Sequence, residues 1–356
     1  MKRKNRVKVI FIIIIGMILL ALPVAMQVKG EVSNKVLDKY VAIGDEISIE
    51  ANNDYDISYV SLIKDFLHAV NDNLDYSNLS EEGITSSELL NIIDENKEKI
   101  KESDLITVSI GGNNILNAIL RNLNIDESIL QGCDEETFDS IISEYLNSDE
   151  IKSEILNEVN KFSKDFPSII KKIKKLAPEA DIYVNTVYNP INKKCNIYDF
   201  FDEQINLIND LIVKSNSNND YKIIDCYHIL DSEEVLNFKL ENGVARISPN
   251  KVGHAMMATQ VVSDYEEYVN LEVDKITSSS ENIKGKTVPN SNIIIVSENG
   301  TVGTTQAKAN GEFQIEISPM VSGTNIEVLV YDKKIFSILY KFEKLVVKKD
   351  LFTSQF

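Results

Sequence analysis

Tyr40-Val41-Ala42-Ile43-Gly44-Asp45-Glu46-Ile47-Ser48 decides how the chain is read. Tyr40 to Ile43 has the unbroken apolar character of a buried strand, and Gly44-Asp45-Glu46 breaks it with a tight turn. In an α/β protein, the end of the first strand is where a functional side chain is presented. The residue at that tip is Glu46.

The stretches that follow set the fold class. Apolar residues at helical spacing run from Tyr59 to Leu74, and Thr85-Ser86-Ser87-Glu88 is a capping-box pattern that opens a second helix. Further strands are expected at Asp75–Leu79, Asp104–Ile110, Ala180–Val187 and Tyr221–Asp225. Helices are expected between Ile115 and Leu176, from Phe200 to Val213, and from Lys251 to about Val269. Near-continuous apolar strands alternating with helices spell a parallel sheet covered on both faces, a three-layer α/β/α body.

The period changes at about Glu272. Thr277-Ser278-Ser279-Ser280-Glu281 is polar and linker-like, and beyond it apolar residues alternate. Ile293 to Val296, then Phe313, Ile315 and Ile317, then Ile326, Val328 and Val330 are separated by glycine-containing turns. Short strands at that spacing describe a small all-β sandwich. The resulting division is 1–30, 31–272, a linker at 273–282, a sandwich at 283–347 and a tail at 348–356.

Residues 1–30 form a separate element. Lys2, Arg3, Lys4, Arg6 and Lys8 precede an uncharged apolar run from Val9 to Met26, the pattern of an export signal, either cleaved or retained as an anchor. The remainder should then be extracytoplasmic, secreted or held at the membrane by that segment. Without those residues the chain carries 31 basic against 55 acidic side chains, a net −24. Such a surface argues against nucleic acid as a partner. Cys133, Cys195 and Cys226 show neither a disulfide framework nor metal-ligand spacing, although a Cys195–Cys226 bridge stays open. Glu46, Glu50, Asp54 and Asp56 lack a spaced calcium loop and read as a solvated acidic stretch. Neither a metal nor a cofactor is expected.

Four short stretches, in order, resemble the SGNH (GDSL-like) hydrolase family across roughly residues 36–270. Ile43-Gly44-Asp45-Glu46 resembles the block in which that family has Gly-Asp-Ser with a nucleophilic serine. The stretch from Asn78 to Gly83 resembles the block whose glycine N–H lines the oxyanion hole. Gly111-Gly112-Asn113-Asn114 resembles the block whose asparagine is a second donor. Ala245-Arg246-Ile247-Ser248-Pro249-Asn250-Lys251-Val252-Gly253-His254 resembles the last block, where the family has an aspartate and, three residues on, a histidine. The resemblance implies a flavodoxin-like SGNH-hydrolase fold, with oxyanion-hole donors at Gly83 and Asn113. It also places Glu46, Ala245 and Ser248 at the three triad positions, all substituted.

Serine–histidine–aspartate catalysis needs a hydroxyl, a base to take its proton and a carboxylate to orient that base. None of those groups stands where it is needed. His254 lies within the last helix and is expected to be structural, as are His68 and His228; Asp45 is expected to tie down the turn. Ser48, two residues past the tip, has no base in view. The expectation is instead that Glu46 fills the hole and takes hydrogen bonds from Asn113 and the Gly83 N–H, which would block hydrolysis rather than assist it.

The sandwich also has a likeness. Residues 283–345, with Gly285-Lys286-Thr287-Val288-Pro289-Asn290 and Ala309-Asn310-Gly311-Glu312-Phe313, resemble bacterial Ig-like repeats, which serve as spacers or adhesion modules. The resemblances together imply an exported hydrolase-like protein without triad chemistry, acting as a binding or scaffold module at the cell envelope. An acylated or glycan ligand would occupy the old cleft, and the Ig-like domain would make surface contacts. An active carboxylic-ester hydrolase of esterase, lipase or deacetylase type with another nucleophile is the alternative, and a purely structural surface protein the third.

Overall fold

A computed structural model describes residues 37–49, 57–122, 148–191, 193–216, 220–231, 235–241, 244–297, 300–331 and 339–349, with isolated positions between these spans. The expected export signal at 1–30 and the acidic stretch at 50–56 lie outside the described residues. No helix of the described residues is long and apolar enough to cross a membrane.

The larger part is built on five parallel strands: β1 (Lys39–Gly44), β2 (Asp75–Ser80), β3 (Leu105–Ser109), β4 (Asp181–Asn185) and β5 (Lys222–Ile224). Their order is β2-β1-β3-β4-β5, the doubly wound order that reverses direction beside β1. Pairing is in register from Lys39↔Asp75 to Gly44↔Ser80 on one side of β1 and from Tyr40↔Leu105 to Gly44↔Ser109 on the other. The flavodoxin-like α/β/α expectation is therefore met in strand order and layering.

The alternation of side chains along β1 shows why three layers form. Val41 and Ile43 point with Ile106, Val108, Ile182 and Val184 into one core. That core is closed by α2 (Ser86–Glu95), α4 (Gly112–Asn122), α5 (Asp149–Leu176) and α6 (Tyr198–Ser215), whose Phe162, Phe166 and Ile208 are fully buried. Tyr40 and Ala42 point the other way, with Leu105, Tyr183 and Ile224, against α1 (Tyr59–Val70) and α8 (Lys251–Val262). Two short helices, α3 (Lys97–Ile100) and α7 (Cys226–Ile229), complete the set of α-helices with ranges among the described residues. Truncating one such aromatic side chain to alanine would cost about 3–5 kcal/mol.

Two features differ from the sequence expectation. The segment before the last helix, where no strand is expected, forms an antiparallel hairpin, β6 (Leu236–Glu241) with β7 (Val244–Pro249), in keeping with the alternation of Leu236, Phe238 and Leu240 along the sequence. The stretch expected to be a loose linker is paired: β8 (Glu272–Val273) lies antiparallel to β9 (Asn282–Lys286), and Ile276 is buried in the sandwich core. Pairing therefore starts ahead of 283, because Val273 and Ile276 supply the apolar contacts that a free linker would lack.

The remaining strands are β10 (Asn292–Ser297), β11 (Gly300–Gln306), β12 (Glu312–Glu316), β13 (Asn325–Tyr331) and β14 (Leu339–Val346). The sandwich consists of a three-stranded sheet, β12-β9-β8, and a four-stranded sheet, β11-β10-β13-β14. Ile283, Phe313 and Ile315 from the first sheet meet Ile293, Ile295, Ile326 and Val328 from the second. The start of the expected tail is also tied down, since Lys348 N–H donates to the Ile276 carbonyl at 2.9 Å. The α/β part and the sandwich share a boundary. Val288 and Val330 pack into the α1/α8 core, and the Thr287 hydroxyl donates to the Asn270 carbonyl at 2.9 Å.

Candidate functional site

The site is assembled where β1 stops. Gly44 has φ +137°, and a Cβ there would fall 1.9 Å from the Ser109 carbonyl oxygen, so only glycine fits. That close approach lets the Asp45 N–H donate to the same carbonyl at 2.9 Å, which locks the turn onto the end of β3. The chain then makes one 3₁₀ turn over Glu46–Ser48.

Asp45 is buried beneath this turn. Its Oδ1 accepts from the Ser109 hydroxyl at 2.6 Å and from the Ile47 N–H at 3.3 Å. It ties down the loop, as its place in the sequence suggests. Burial and, secondarily, the neighbouring Glu46 charge push its carboxyl up to about 7.

Glu46 turns back toward the sheet. Its Oε2 accepts from the Asn113 side-chain amide at 2.8 Å and from the Gly83 N–H at 3.1 Å. Both donors expected from the sequence therefore reach this carboxylate. Each is held by bonds that do not involve Glu46. Gly83 sits at φ +75°, with its carbonyl accepting from Asn117 Nδ2 at 3.0 Å. Asn113 is buried in the first turn of α4, and its neighbour Asn114 bonds Ser86 twice, accepting from the N–H and donating to the hydroxyl, each at 3.1 Å. The start of an 11-residue helix adds a favourable field for an anion.

The other candidates fall into place around this centre. Ser48 is fully buried with its hydroxyl bonded to the Tyr59 hydroxyl at 2.8 Å, so it is not presented as a nucleophile. His254 accepts at Nδ1 from the Tyr59 N–H at 3.2 Å and so caps α1; burial pushes its imidazole down to about 4, which keeps it neutral. His228 is exposed and lies 2.8 Å from Asp225. Ser248, at the end of β7, is half-buried, and Ala245 pairs in register with Leu240. Cys195 and Cys226 are not joined by a disulfide, which closes the bridge left open by their spacing. Among the described residues, no cluster of histidine, cysteine and carboxylate side chains could hold a metal.

Two residues of the site carry no sequence signal. Ser109 reads only as a polar position near the end of an apolar strand, yet it holds Asp45. Tyr188 is buried after β4, and burial first, then the charges of Glu46 and Asp45, push its phenol well up. What the arrangement can do chemically is limited. It offers two neutral donors to an anion, and the chain supplies that anion itself.

Comparison with known proteins separates the two parts. Residues 269–335 match the bacterial Ig domain family. No curated protein matches the chain in sequence. Among solved structures, a lipase from a goat rumen metagenome is similar at 18% identity and a TM-score of 0.46, covering 64% of this chain and 96% of that one. Phospholipase A1 from Streptomyces albidoflavus is similar at 16% identity and a TM-score of 0.44, covering 64% and 99%. A member of the lipolytic protein G-D-S-L family from Veillonella parvula is similar at 15% identity and a TM-score of 0.41, covering 63% and 96%.

Proposed function

We propose that this chain is an exported binding or scaffold module at the cell envelope, built on a hydrolase-like α/β body that does not hydrolyse esters. One observation carries the reading. At the strand end where the resemblance puts a nucleophilic serine, the Glu46 carboxylate takes both donors that an oxyanion hole would need. A tetrahedral ester intermediate develops negative charge at that point, and a resident carboxylate repels it. The sequence positions that resemble the base and acid of a triad carry Ser248 and Ala245, which can neither take a proton from a nucleophile nor orient a base. An acylated or glycan ligand of the envelope would bind in the remaining cleft, with the Ig-like domain making contacts at the surface.

The test is a parallel assay on short- and long-chain p-nitrophenyl esters. The unaltered protein is expected to turn over no faster than its Asn113→Ala variant. The triple variant Glu46→Ser, Ala245→Asp, Ser248→His is expected to gain activity. Turnover by the unaltered protein well above the Asn113→Ala control would establish the alternative, an ester hydrolase with another nucleophile. Cell fractionation, with the protein found in the cytoplasm, would defeat the export part of the reading.

A further inference from the structure

We infer that the Ig-like sandwich is a fixed foot of the α/β body: the two parts move as one rigid unit, joined at the end of the parallel sheet opposite Glu46. The inner face of β13 shows how. Ile326, Val328 and Val330 share that face because side chains alternate along a strand. Ile326 and Val328 belong to the sandwich core, whereas Val330, fully buried, belongs to the core between the sheet and α1 and α8. One strand face therefore runs out of one core and into the other. Val288, just after β9, is likewise buried in the α1/α8 core and has no place in the sandwich core. The α/β body thus supplies the apolar cover for both valines, and separating the parts would return them to water.

The covalent connection is anchored as well. After α8 the chain makes a 3₁₀ turn over Ser263–Tyr268, and two of its side chains are tied to the strand starts. Asp264 accepts from Tyr183 at 2.5 Å and from Lys222 at 2.8 Å, and the Tyr265 hydroxyl donates to Asp181 at 2.7 Å. Asp181 and Lys222 are the first residues of β4 and β5, so the chain leaves at the sheet end away from Glu46. Val269 is then buried, the Asn270 carbonyl accepts from Thr287, and Leu271 packs against both cores before β8 begins at Glu272. These anchors follow each other too closely for a flexible linker. One consequence deepens the proposed binding function and rests on it. A ligand at the Glu46 cleft and a partner held by the sandwich would occupy opposite ends of one body, both bound at once and at a set separation.

The experiment records residual dipolar couplings of backbone amides in the full chain, weakly aligned in a neutral polymer gel. One alignment tensor is expected to fit both parts. Two different tensors, or much weaker ordering of the sandwich than of the α/β body, would overturn the inference. The double variant Val288→Asp, Val330→Asp places charges in the shared core and is expected to split the tensor in two, with both parts keeping dispersed spectra. Val288→Asp alone serves the same purpose should the double variant fold poorly. A single tensor persisting in the variant would overturn the assignment of the joint to these valines. Neither result would alter the ester assays, so failure here and failure of the proposed function are distinguishable.

Discussion

The two ends of the parallel sheet each hold a pair of carboxylates, and they satisfy them differently. At the end where the strands start, Asp181 accepts from the Tyr265 hydroxyl at 2.7 Å, and Asp264 accepts from Tyr183 at 2.5 Å and from Lys222 at 2.8 Å. Lys222 also lies 3.9 Å from Asp181 and over the Tyr183 ring. Charge is matched by charge, with phenols filling the remaining lone pairs. At the end where the strands stop, Asp45 and Glu46 are adjacent, and among the described residues neither has a cation. Only neutral groups serve them: a hydroxyl, backbone amides and a carboxamide. The first arrangement is an ordinary structural solution. The second holds an anion without neutralising it, as a binding site does.

That contrast can be broken at three points. The largest effect is expected at Asp45. Its carboxyl is raised to about 7, so the folded state favours the neutral form, and this contribution to stability is complete below the unfolded value near 3.8 and lost as pH rises through 7. Asp45→Asn keeps an acceptor for Ser109 and carries no charge. It should gain up to ~4 kcal/mol in urea unfolding at pH 8 and almost nothing at pH 4. His254 acts in the opposite sense. Its depressed value favours the neutral ring, and that contribution is lost as pH falls from the usual 6.5 through 4. The two cancel in part, so the unaltered protein should show a shallow profile and Asp45→Asn one that drops on acidification. An Asp45→Asn variant no more stable than the parent at pH 8 would mean that the carboxylate is matched after all.

A smaller effect is expected at Asn113. Asn113→Ala removes one of two donors to Glu46 Oε2 and should cost about 1.5–3 kcal/mol at neutral pH. Combining it with Glu46→Gln should recover part of that loss in the same urea unfolding measurement. The smallest effect is expected at the opposite end. Lys222 is half exposed, so Lys222→Met should cost no more than about 1 kcal/mol, and less in high salt. A larger loss at Lys222 than at Asn113 would reverse the comparison.

Much of this was legible in the sequence because local signals and tertiary demands agree there. The apolar runs of β1, β3 and β4 are buried on both faces, so composition alone marks them. The Thr85–Glu88 capping box appears as a 2.7 Å bond from the Thr85 N–H to Glu88 Oε2. The Glu46 contacts were legible because three separate stretches each end a strand or start a helix on the same edge. Ser109 and Tyr188 were not, because their roles depend on which strands become neighbours. The linker was misread because two apolar residues, Val273 and Ile276, outweigh a run of serines once a sheet is available to receive them. The hairpin β6–β7 was not legible, because among the described residues its two strands pair only with each other, and they lack the unbroken apolar run that marks the parallel sheet.

One detail of the sandwich bears on how it would respond to force. Thr277 and Lys348 form a parallel bridge, with Lys348 N–H donating to the Ile276 carbonyl and Ser278 N–H to the Lys348 carbonyl, both at 2.9 Å. The chain enters and leaves this domain running side by side in the same direction. A pull applied through the two flanking segments therefore slides these strands along each other and loads both hydrogen bonds together. An antiparallel pair pulled from one end opens bond by bond. Rupture in shear has the higher barrier, and forced unfolding is governed by such barriers rather than by equilibrium stability. The segment first taken for a loose connection is thus half of a mechanical clamp.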